Sequence, residues 1–457
     1  MNDAIEIDSE TSRIRAVLVN SGRYTFSEAE QRLAGSCLSI HLGADAATTR
    51  AGQAAFVTAA VTGTRCFGEV TVHGCLCQPL LLPLPMGAKT LLDAVAFLGA
   101  GTVPSGSRSR AISISSDVHP GEQWSVQTFW DGWTAGTAPG RKPVVMGRSD
   151  CTLAGVAAGA LAVGQAFLAE QGDYRAGRTT QSLSLWMPEL RQQAANDPGP
   201  HFHEVYLPTA LWFVGLGNLG QAYLWSLALL PYQQPGQVVL FLQDDQRIAK
   251  ENWGTSVLVQ RGRYGMLKTR AAEEWATARG FQVRRIDRRL DERLRRFDAE
   301  PGIALGGLDS MPARRLLGDR GFEYIIDSGL GATAADYQRF RINVFGPAES
   351  PAAHFLGVED SRSQVAQKLL ELPSYEKLAR STGDGGCGAA ILAETSVAVP
   401  FVSAVVGALA IAQSIRIASG QAHHRCVAGD IGDLRTVRAV PGLPPKRICV
   451  PSMLSSL

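Results

Sequence analysis

Apolar runs alternate with amphipathic stretches through the second half of the chain. Apolar residues recur at helical spacing over 218–230 and 268–279. Five other apolar runs are typical of strands, and they occupy residues 209–215 (TALWFVG), 237–244 (QVVLFLQD), 281–287 (FQVRRID), 302–309 (GIALGGLD) and 323–330 (EYIIDSGL). Strands that alternate with helices predict a mainly parallel, doubly wound α/β sheet.

The first half of the chain has a weaker pattern. Residues 52–67 (GQAAFVTAAVTGTRCF) predict a helix, whereas 111–117 (AISISSD) and 142–147 (KPVVMG) predict strands. A polar, proline-containing stretch at 191–205 predicts a linker between the two halves.

Two segments without charged residues, 151–169 and 395–415, are long enough to be considered as membrane spans. Both consist mostly of small residues and contain a glutamine, so we predict buried helices in a small-residue interface. Parts of them also align without a gap, GALAVGQAFLAEQG at 159–172 and GALAIAQSIRIASG at 407–420. This similarity predicts a duplicated architecture in which each half ends on a similar helix.

Composition and charge narrow the class of protein only slightly further. The formal net charge of the 457 residues is +2, which gives no reason to expect nucleic acid or a membrane surface as a partner. The first residues show no signal-peptide pattern, and the eight cysteines form no CxxC pair. We therefore expect a cytoplasmic protein with free thiols.

The sequence GLGNLG lies between the strand at 209–215 and the helix that follows it. Gly215, Gly217 and Gly220 allow a tight turn and close approach of phosphates, and the helix that begins at Asn218 offers free N–H groups to anions. The next strand ends at Asp244, where an acid can bind a ribose. NAD and ATP fit this pattern equally well, and there is no Walker A sequence.

Three further polar residues are candidates for nucleotide contacts. Asn252 lies in the polar loop after Asp244, and Lys268 could reach phosphates from the start of a helix. Asp309 follows the carboxyl end of a strand and could hold Mg²⁺ on the phosphates. Each has an ordinary alternative, because Lys268 could be a solvated lysine and either Asp309 or Ser310 could cap a helix.

Taken together, these residues resemble the ubiquitin-like-protein-activating enzymes and the ThiF, MoeB and HesA adenylyltransferases. That family shows a glycine loop, a strand-end acid with an asparagine eight residues later, a Gly-x-x-Lys, and an Asp with an Arg five residues after it. The corresponding positions here are the loop at 215–220, Asp244 with Asn252, 265–268, and Asp309 with Arg314. The resemblance covers about residues 205–440.

The resemblance has gaps. Gln246 stands where the family often has a second acid, and Thr255 stands where it often has an arginine after the asparagine. Ser310 stands where an asparagine usually follows the metal-binding Asp. The family's zinc cysteines are also missing. The resemblance leaves Arg261 or Arg263 as candidates for the missing cation.

A glycine-rich loop with a cysteine, STGDGGCGAAIL, precedes the second uncharged segment. The family keeps its acyl- or sulfur-accepting cysteine in this region, so the resemblance implies that Cys387, in a loop of about 375–395, is the nucleophile. Cys426 beside two histidines is the alternative, although a buried core cysteine explains it more simply.

The resemblance implies two related Rossmann-like, ThiF-type adenylation domains. Residues 1–195 would be an inactive half that could lend an arginine, 205–440 the active half, and 441–457 a tail. With ATP and Mg²⁺, the enzyme would adenylate the C-terminus of a ubiquitin-like protein. The activated protein would then form a thioester with Cys387 and pass to a conjugating-enzyme-like acceptor. The two halves would form a pseudo-dimer within the chain, and a homodimer of two chains is a further possibility. This compact form resembles bacterial ubiquitin-like conjugation systems, some of which belong to antiphage defence operons.

Three other functions remain open from the sequence. A sulfur-carrier adenylyltransferase shares the first step but ends in a thiocarboxylate. An NAD(P)-dependent oxidoreductase would use the same glycine loop. Gln246, Thr255 and Ser310 replace residues that the family usually has, and these replacements also fit a non-catalytic scaffold that binds a ubiquitin-like partner.

Overall fold

A computed structural model of the chain describes most of its residues. The described residues are 9–85, 87–102, 109–117, 124–147, 150–189, 199–331, 336–347, 349–357, 362–381, 389–390, 393 and 398–444.

The first half of the chain forms a mixed sheet with helices around it. Its helices are α1 Ser12–Asn20, α2 Phe26–Ala34, α3 Ala44–Ala47, α4 Arg50–Cys66, α5 Leu91–Phe97 and α6 Thr152–Glu170. Its strands are β1 Cys37–Leu42, β2 Glu69–Gly74, β3 Ser109–Ile114, β4 Ser125–Asp131, β5 Thr134–Pro139 and β6 Gln181–Ser184. The sheet order is β2-β1-β3-β4-β5-β6, parallel through β4 and antiparallel beyond it.

The second half forms a larger sheet of the same kind. Its strands are β7 Ala210–Val214, β8 Val239–Gln243, β9 Gln282–Ile286, β10 Ile303–Gly306, β11 Tyr324–Leu330, β12 Arg339–Phe345, β13 His424–Asp430 and β14 Asp433–Pro441. Its helices are α7 Asn218–Ala228, α8 Lys268–Ala278, α9 Met311–Leu316, α10 Pro351–His354, α11 Arg362–Leu370, α12 Pro373–Ser381 and α13 Pro400–Ala418. The order is β14-β13-β12-β11-β10-β7-β8-β9, parallel from β9 to β11.

The two sheets repeat one topology. The order β2-β1-β3-β4-β5-β6 matches β8-β7-β10-β11-β12-β13 strand for strand, including the change to antiparallel pairing after the fourth strand. Helices α6 and α13 occupy equivalent places in this order, and they contain the two similar sequence segments. The duplicated architecture expected from those segments is therefore present in the fold.

Small residues let the helices of the two halves pack closely. A Cβ added at Gly159 of α6 would lie 2.1 Å from the Ala55 carbonyl oxygen of α4. One added at Gly407 of α13 would lie 2.6 Å from the Ala222 carbonyl oxygen of α7. Helices α6 and α13 also contact each other, so the four helices form a shared interface between the sheets.

Polar contacts tie the same interface together. Trp225 Nε1 donates to Thr58 Oγ1 at 3.0 Å, and Arg65 Nη2 donates to the Val259 carbonyl oxygen at 2.9 Å. Both of the long apolar helices are buried, over 100% of the apolar window of Thr152–Glu170 and 94% of that of Pro400–Ala418. The predicted buried, small-residue interface is confirmed.

The α/β fold class and the strands expected in the second half are confirmed, as is the helix expected at 52–67. The strand expected at 142–147 is wrong. Pro143 has no N–H to donate to a ladder, and Val145 is 88% exposed. The segment instead crosses the surface, with the Gly147 N–H donating to the Trp130 carbonyl oxygen at 2.7 Å.

Candidate functional site

The glycine loop after β7 is shaped by close backbone contacts. Gly215 has a φ of +88°, which favours glycine, and a Cβ at Gly220 would lie 2.0 Å from the Gly215 carbonyl oxygen. At Gly217 an added Cβ would meet no described atom within 4 Å. Two of the glycines thus allow the tight turn, while Gly217 faces open space where a ligand can approach.

The first residue of α7 has polar groups that the described protein does not satisfy. Asn218 Nδ2 and Oδ1 are both buried without a hydrogen-bond partner among the described residues. Unpaired buried polar atoms are costly and are rare in folded proteins. Their place at the N-terminus of an 11-residue helix, beside the open face of Gly217, indicates a polar ligand.

Asp244 lies at the end of β8, directly beside this loop. Its carboxylate accepts the Leu216 N–H at 2.7 Å and the Gln246 N–H at 2.8 Å. Because these two bonds hold one oxygen each, the half-buried carboxylate has a fixed orientation next to the loop. Ribose binding by this acid, which the sequence pattern predicted, stays a prediction.

Lys268 is buried and faces the same edge of the sheet. It is 8% exposed, and its Nζ donates to Gln246 Oε1 at 2.7 Å. Burial lowers the pKa of its ammonium, an effect opposed by nearby Asp244 and Asp309. A solvated lysine is therefore excluded. Gln246 holds the ammonium in the place where the related family has an acid.

Asp309 is exposed at the end of β10, and its charge acts on Lys268 across the site. The cap of α9 is Ser310, whose Oγ accepts the Ala313 N–H at 3.4 Å. Ser310 therefore fills the capping position, and the Asp309 side chain is exposed.

Arg314 stabilises the loop that presents Asp309. Its Nε donates to the Leu308 carbonyl oxygen at 3.0 Å, and its Nη2 donates to that of Ser328 at 3.1 Å. Nη1 lies 3.4 Å from Asp327, a fully buried carboxyl group whose pKa burial raises to about 6. Each of these contacts of Arg314 is with a protein atom, an arrangement that positions the loop around Leu308.

An arginine of the first half reaches this site. Arg13 of α1 lies 3.7 Å from Glu251, and its charge interacts with both Lys268 and Asp309. Its Nε is buried without a partner among the described residues. Sequence reasoning expected the first half to lend an arginine but did not identify Arg13, because the contact spans more than 200 residues.

Arg261 and Arg263, the two candidates for the missing cation, are committed elsewhere. Arg261 pairs with Glu10 at 2.9 Å, and Arg263 pairs with Glu274 on α8. Asn252 is buried, and its Oδ1 accepts the Ala249 N–H at 3.0 Å. Arg13 is the arginine whose charge acts on both Lys268 and Asp309.

Cys387, the predicted nucleophile, lies outside the described residues. Helix α12, which precedes that segment, is docked on the first half, because the Tyr375 hydroxyl donates to Asn20 Oδ1 at 2.7 Å and its ring packs edge-on against Phe26. The alternative, Cys426, lies within β13 and pairs with Asn343 of β12. Cys426 is half-buried rather than buried, so its position does not confirm the explanation as a core cysteine.

The equivalent loop of the first half has a carboxylate beside it. Short helix α3 follows β1, where β7 is followed by the glycine loop. Asp45 of α3 accepts hydrogen bonds from the Ser116 N–H at 2.8 Å, the Ser116 hydroxyl at 2.7 Å and the Ser115 hydroxyl at 3.2 Å. A negative charge thus lies beside the loop where the second half leaves an open face.

Fold and site define a Rossmann-like α/β protein with two topologically equivalent halves and a glycine-loop site in the second. Family profiles of the BilD N-terminal domain and BilD C-terminal domain match residues 37–185 and 207–421. The bacterial E1-like protein BilD of Collimonas sp. (strain OK412) is 32% identical over 437 residues, covering 93% of this chain and 92% of that protein. The chain belongs to this family of bacterial E1-like proteins.

Solved structures of E. coli MccB show a more distant likeness. MccB with ATP aligns at 12% identity and a TM-score of 0.35, covering 54% of this chain and 67% of that one. MccB with AMPCPP and MccA aligns at 14% identity and a TM-score of 0.36, covering 53% and 67%.

Proposed function

We propose that this protein adenylates the C-terminal carboxylate of a ubiquitin-like protein with ATP. The observation that carries the proposal is a cluster of charges beside the glycine loop: Asp244 accepts a hydrogen bond from that loop, and the charges of Asp244, Asp309 and Arg13 act on Lys268. Membership of an E1-like family agrees with this chemistry.

The chain's residues fit the polyphosphate of ATP and one Mg²⁺. The α7 N-terminus and the unpaired amide of Asn218 would bind phosphate oxygens, and Asp244 would accept a ribose hydroxyl. The described residues contain no group of three or more metal-ligating side chains, but Mg²⁺ at phosphates needs just one or two carboxylates, and exposed Asp309 can supply one. Mg²⁺ would neutralise phosphate charge there.

In the proposed first step, the substrate carboxylate attacks the α-phosphorus of ATP. The bond from that phosphorus to the bridging oxygen breaks, and pyrophosphate leaves, so an acyl-adenylate remains. The protein positions the reactants and offsets the charge that develops on the leaving pyrophosphate. Lys268 and Arg13 supply two positive charges for this purpose, and their burial strengthens the interaction of each with the pyrophosphate charge.

In the proposed second step, the Cys387 thiolate attacks the acyl carbonyl and AMP leaves, which forms a thioester. A thiol of a conjugating-enzyme-like protein would then take the acyl group. Support comes from the sequence around Cys387 and from the docking of α12 on the same half that contributes Arg13.

We further propose that residues 1–195 are an inactive adenylation-like half, 205–440 the active half and 441–457 a tail. Two observations support this division: Asp45 lies beside the loop of the first half, and Arg13 extends from that half into the second site. The two halves form a pseudo-dimer.

The test is partner-dependent ATP–pyrophosphate exchange. The purified protein is mixed with each candidate ubiquitin-like protein that its neighbouring reading frames encode, and exchange of labelled pyrophosphate into ATP is measured. We expect exchange that Asp309→Ala lowers by on the order of 100-fold or more, since a transition-state charge partner is lost. Cys387→Ala should retain exchange but lose a partner adduct that reducing agents cleave.

The controls separate the alternatives. Exchange without an adduct in the wild-type protein favours the sulfur-carrier adenylyltransferase. No exchange with partner binding intact favours the scaffold, the function that the neutral residues Gln246, Thr255 and Ser310 suggest. An adduct that persists in Cys387→Ala shows that another residue is the nucleophile.

A further inference from the structure

A cavity of about 310 Å³ lies between the two halves, apart from the glycine loop. The first half contributes Arg65 and the segment 97–99, and the second half contributes Trp225, Trp253, Trp275 and the segment 257–261. Trp225 and Trp275 are each seven residues beyond the helix starts at Asn218 and Lys268, which is about 10 Å along a helix. The cavity is therefore a separate site.

Arg65 is an unusual residue for such a place. It is 5% exposed and stacks 3.2 Å from the centre of the Trp253 ring, while its Nη2 donates to the Val259 carbonyl oxygen at 2.9 Å. Its Nε and Nη1 are buried and have no hydrogen-bond partner among the described residues. Burial lowers the pKa of Arg65 to about 9, so the guanidinium is charged at neutral pH.

The other groups around the cavity reinforce a demand for negative charge. Trp275 Nε1 is a second buried donor without a partner in the described part of the chain. Arg261 stacks over the same Trp253 ring at 4.3 Å. The carboxylate near these arginines is Glu10, which already accepts from Arg261 at 2.9 Å and from the Tyr264 hydroxyl.

A buried guanidinium without full pairing is expensive, and proteins offset that cost with a hydrogen-bonded anion. The walls beside it are indole rings together with Leu98 and Val257, which favour a flat apolar body. The volume lies within the range of small-molecule sites. We propose that this cavity binds a small organic anion, in which an acidic group bonds Arg65 and Trp275 and a flat apolar body packs against the indole rings, Leu98 and Val257.

The proposal can be tested with three probes by isothermal titration calorimetry. 2-Naphthoate has both features, 2-naphthamide has the same rings without charge, and acetate has the charge without the rings. We expect saturable binding of 2-naphthoate, at least about tenfold tighter than either of the other two probes, because a charge-assisted hydrogen bond and ring burial each contribute. Equal binding of naphthoate and naphthamide would overturn the proposal, as would no saturable binding of naphthoate.

Two variants locate the binding. Arg65→Met keeps the length of the side chain, and Trp275→Phe keeps an aromatic ring without the N–H donor. Both should weaken naphthoate binding, Arg65→Met by about tenfold or more, whereas Arg284→Met on the remote surface should not change it. If Arg65→Met does not fold, Trp275→Phe decides alone. Unchanged binding in the folded variants rules the site out.

Discussion

At the scale of single residues, the candidate site combines positions with quite different origins. Asp244, Lys268 and Asp309 follow strand ends or start a helix, so a linear pattern could reveal them. Arg13 joins them from the other half, and Arg314 pairs with the buried carboxyl group of Asp327. A motif identifies which residues can meet, whereas burial and pairing decide which remain free for a ligand.

Arg13 offers a sharp test at this scale. Replacement of Arg13 by Ala should lower pyrophosphate exchange by on the order of 100-fold, because a positive charge beside Asp309 and Lys268 is removed from the proposed transition state. Arg23→Ala, from the exposed turn after the same helix, is the matched control and should exchange at the wild-type rate. Equal rates in both variants would assign Arg13 a structural role.

Asp327 should leave a signature in the pH dependence of stability. Its pKa in the folded protein is about 6, above the 3.8 expected when unfolded, so the folded state holds a proton that the unfolded state has lost between these values. Its contribution is therefore fully present below about pH 4 and is lost as pH rises through about 6, by on the order of 1–3 kcal/mol. Urea unfolding of wild type and Asp327→Asn at pH 4 and pH 7 measures this difference. A constant difference between the two proteins would contradict the assignment.

At the scale of elements, glycines and alanines set how closely the helices approach. Gly155 and Gly159 of α6 face Ala51 and Ala55 of α4, and an added Cβ at either glycine would lie 2.1 Å from a carbonyl oxygen. The two segments that resembled membrane spans in composition are thus buried helices with close backbone contacts.

The substitution Gly159→Ala should therefore destabilise the protein although alanine is the better helix former. Overpacking against the Ala55 carbonyl should cost about 1–3 kcal/mol in the free energy of unfolding. Gly236→Ala meets no described atom within 4 Å and should stay within about 0.5 kcal/mol of wild type. Chemical denaturation of both variants gives the comparison, and similar stabilities would disprove the close packing.

At the scale of the whole molecule, two equivalent halves have diverged around one interface. The second half has the open glycine loop, while in the first half Asp45 lies at the equivalent edge of its sheet. The first half still contributes through Arg13 and through the surface on which α12 docks.

This division predicts one nucleotide per chain. Titration with AMPCPP should give a stoichiometry of one, and Lys268→Ala should weaken binding by about tenfold or more because a buried phosphate partner is lost. Asp45→Ala should leave both the stoichiometry and the affinity unchanged. Two sites per chain, or a loss of binding in Asp45→Ala, would contradict an inactive first half.

The sequence by itself determined the α/β class, the strands and helices around the glycine loop, and the duplication of α6 and α13. Each depends on local periodicity or on short motifs, and these act through neighbouring residues. The strand expected at 142–147 failed because a short apolar run does not specify a pairing partner.

The other features depend on the tertiary structure: the charge interactions of Arg13 with Lys268 and Asp309, the pairing of Arg314 with Asp327, and the cavity around Arg65. Each depends on residues from distant parts of the chain and on which charges are buried together. Such contacts carry no signal in sequence spacing, because desolvation and pairing arise only once the two halves pack.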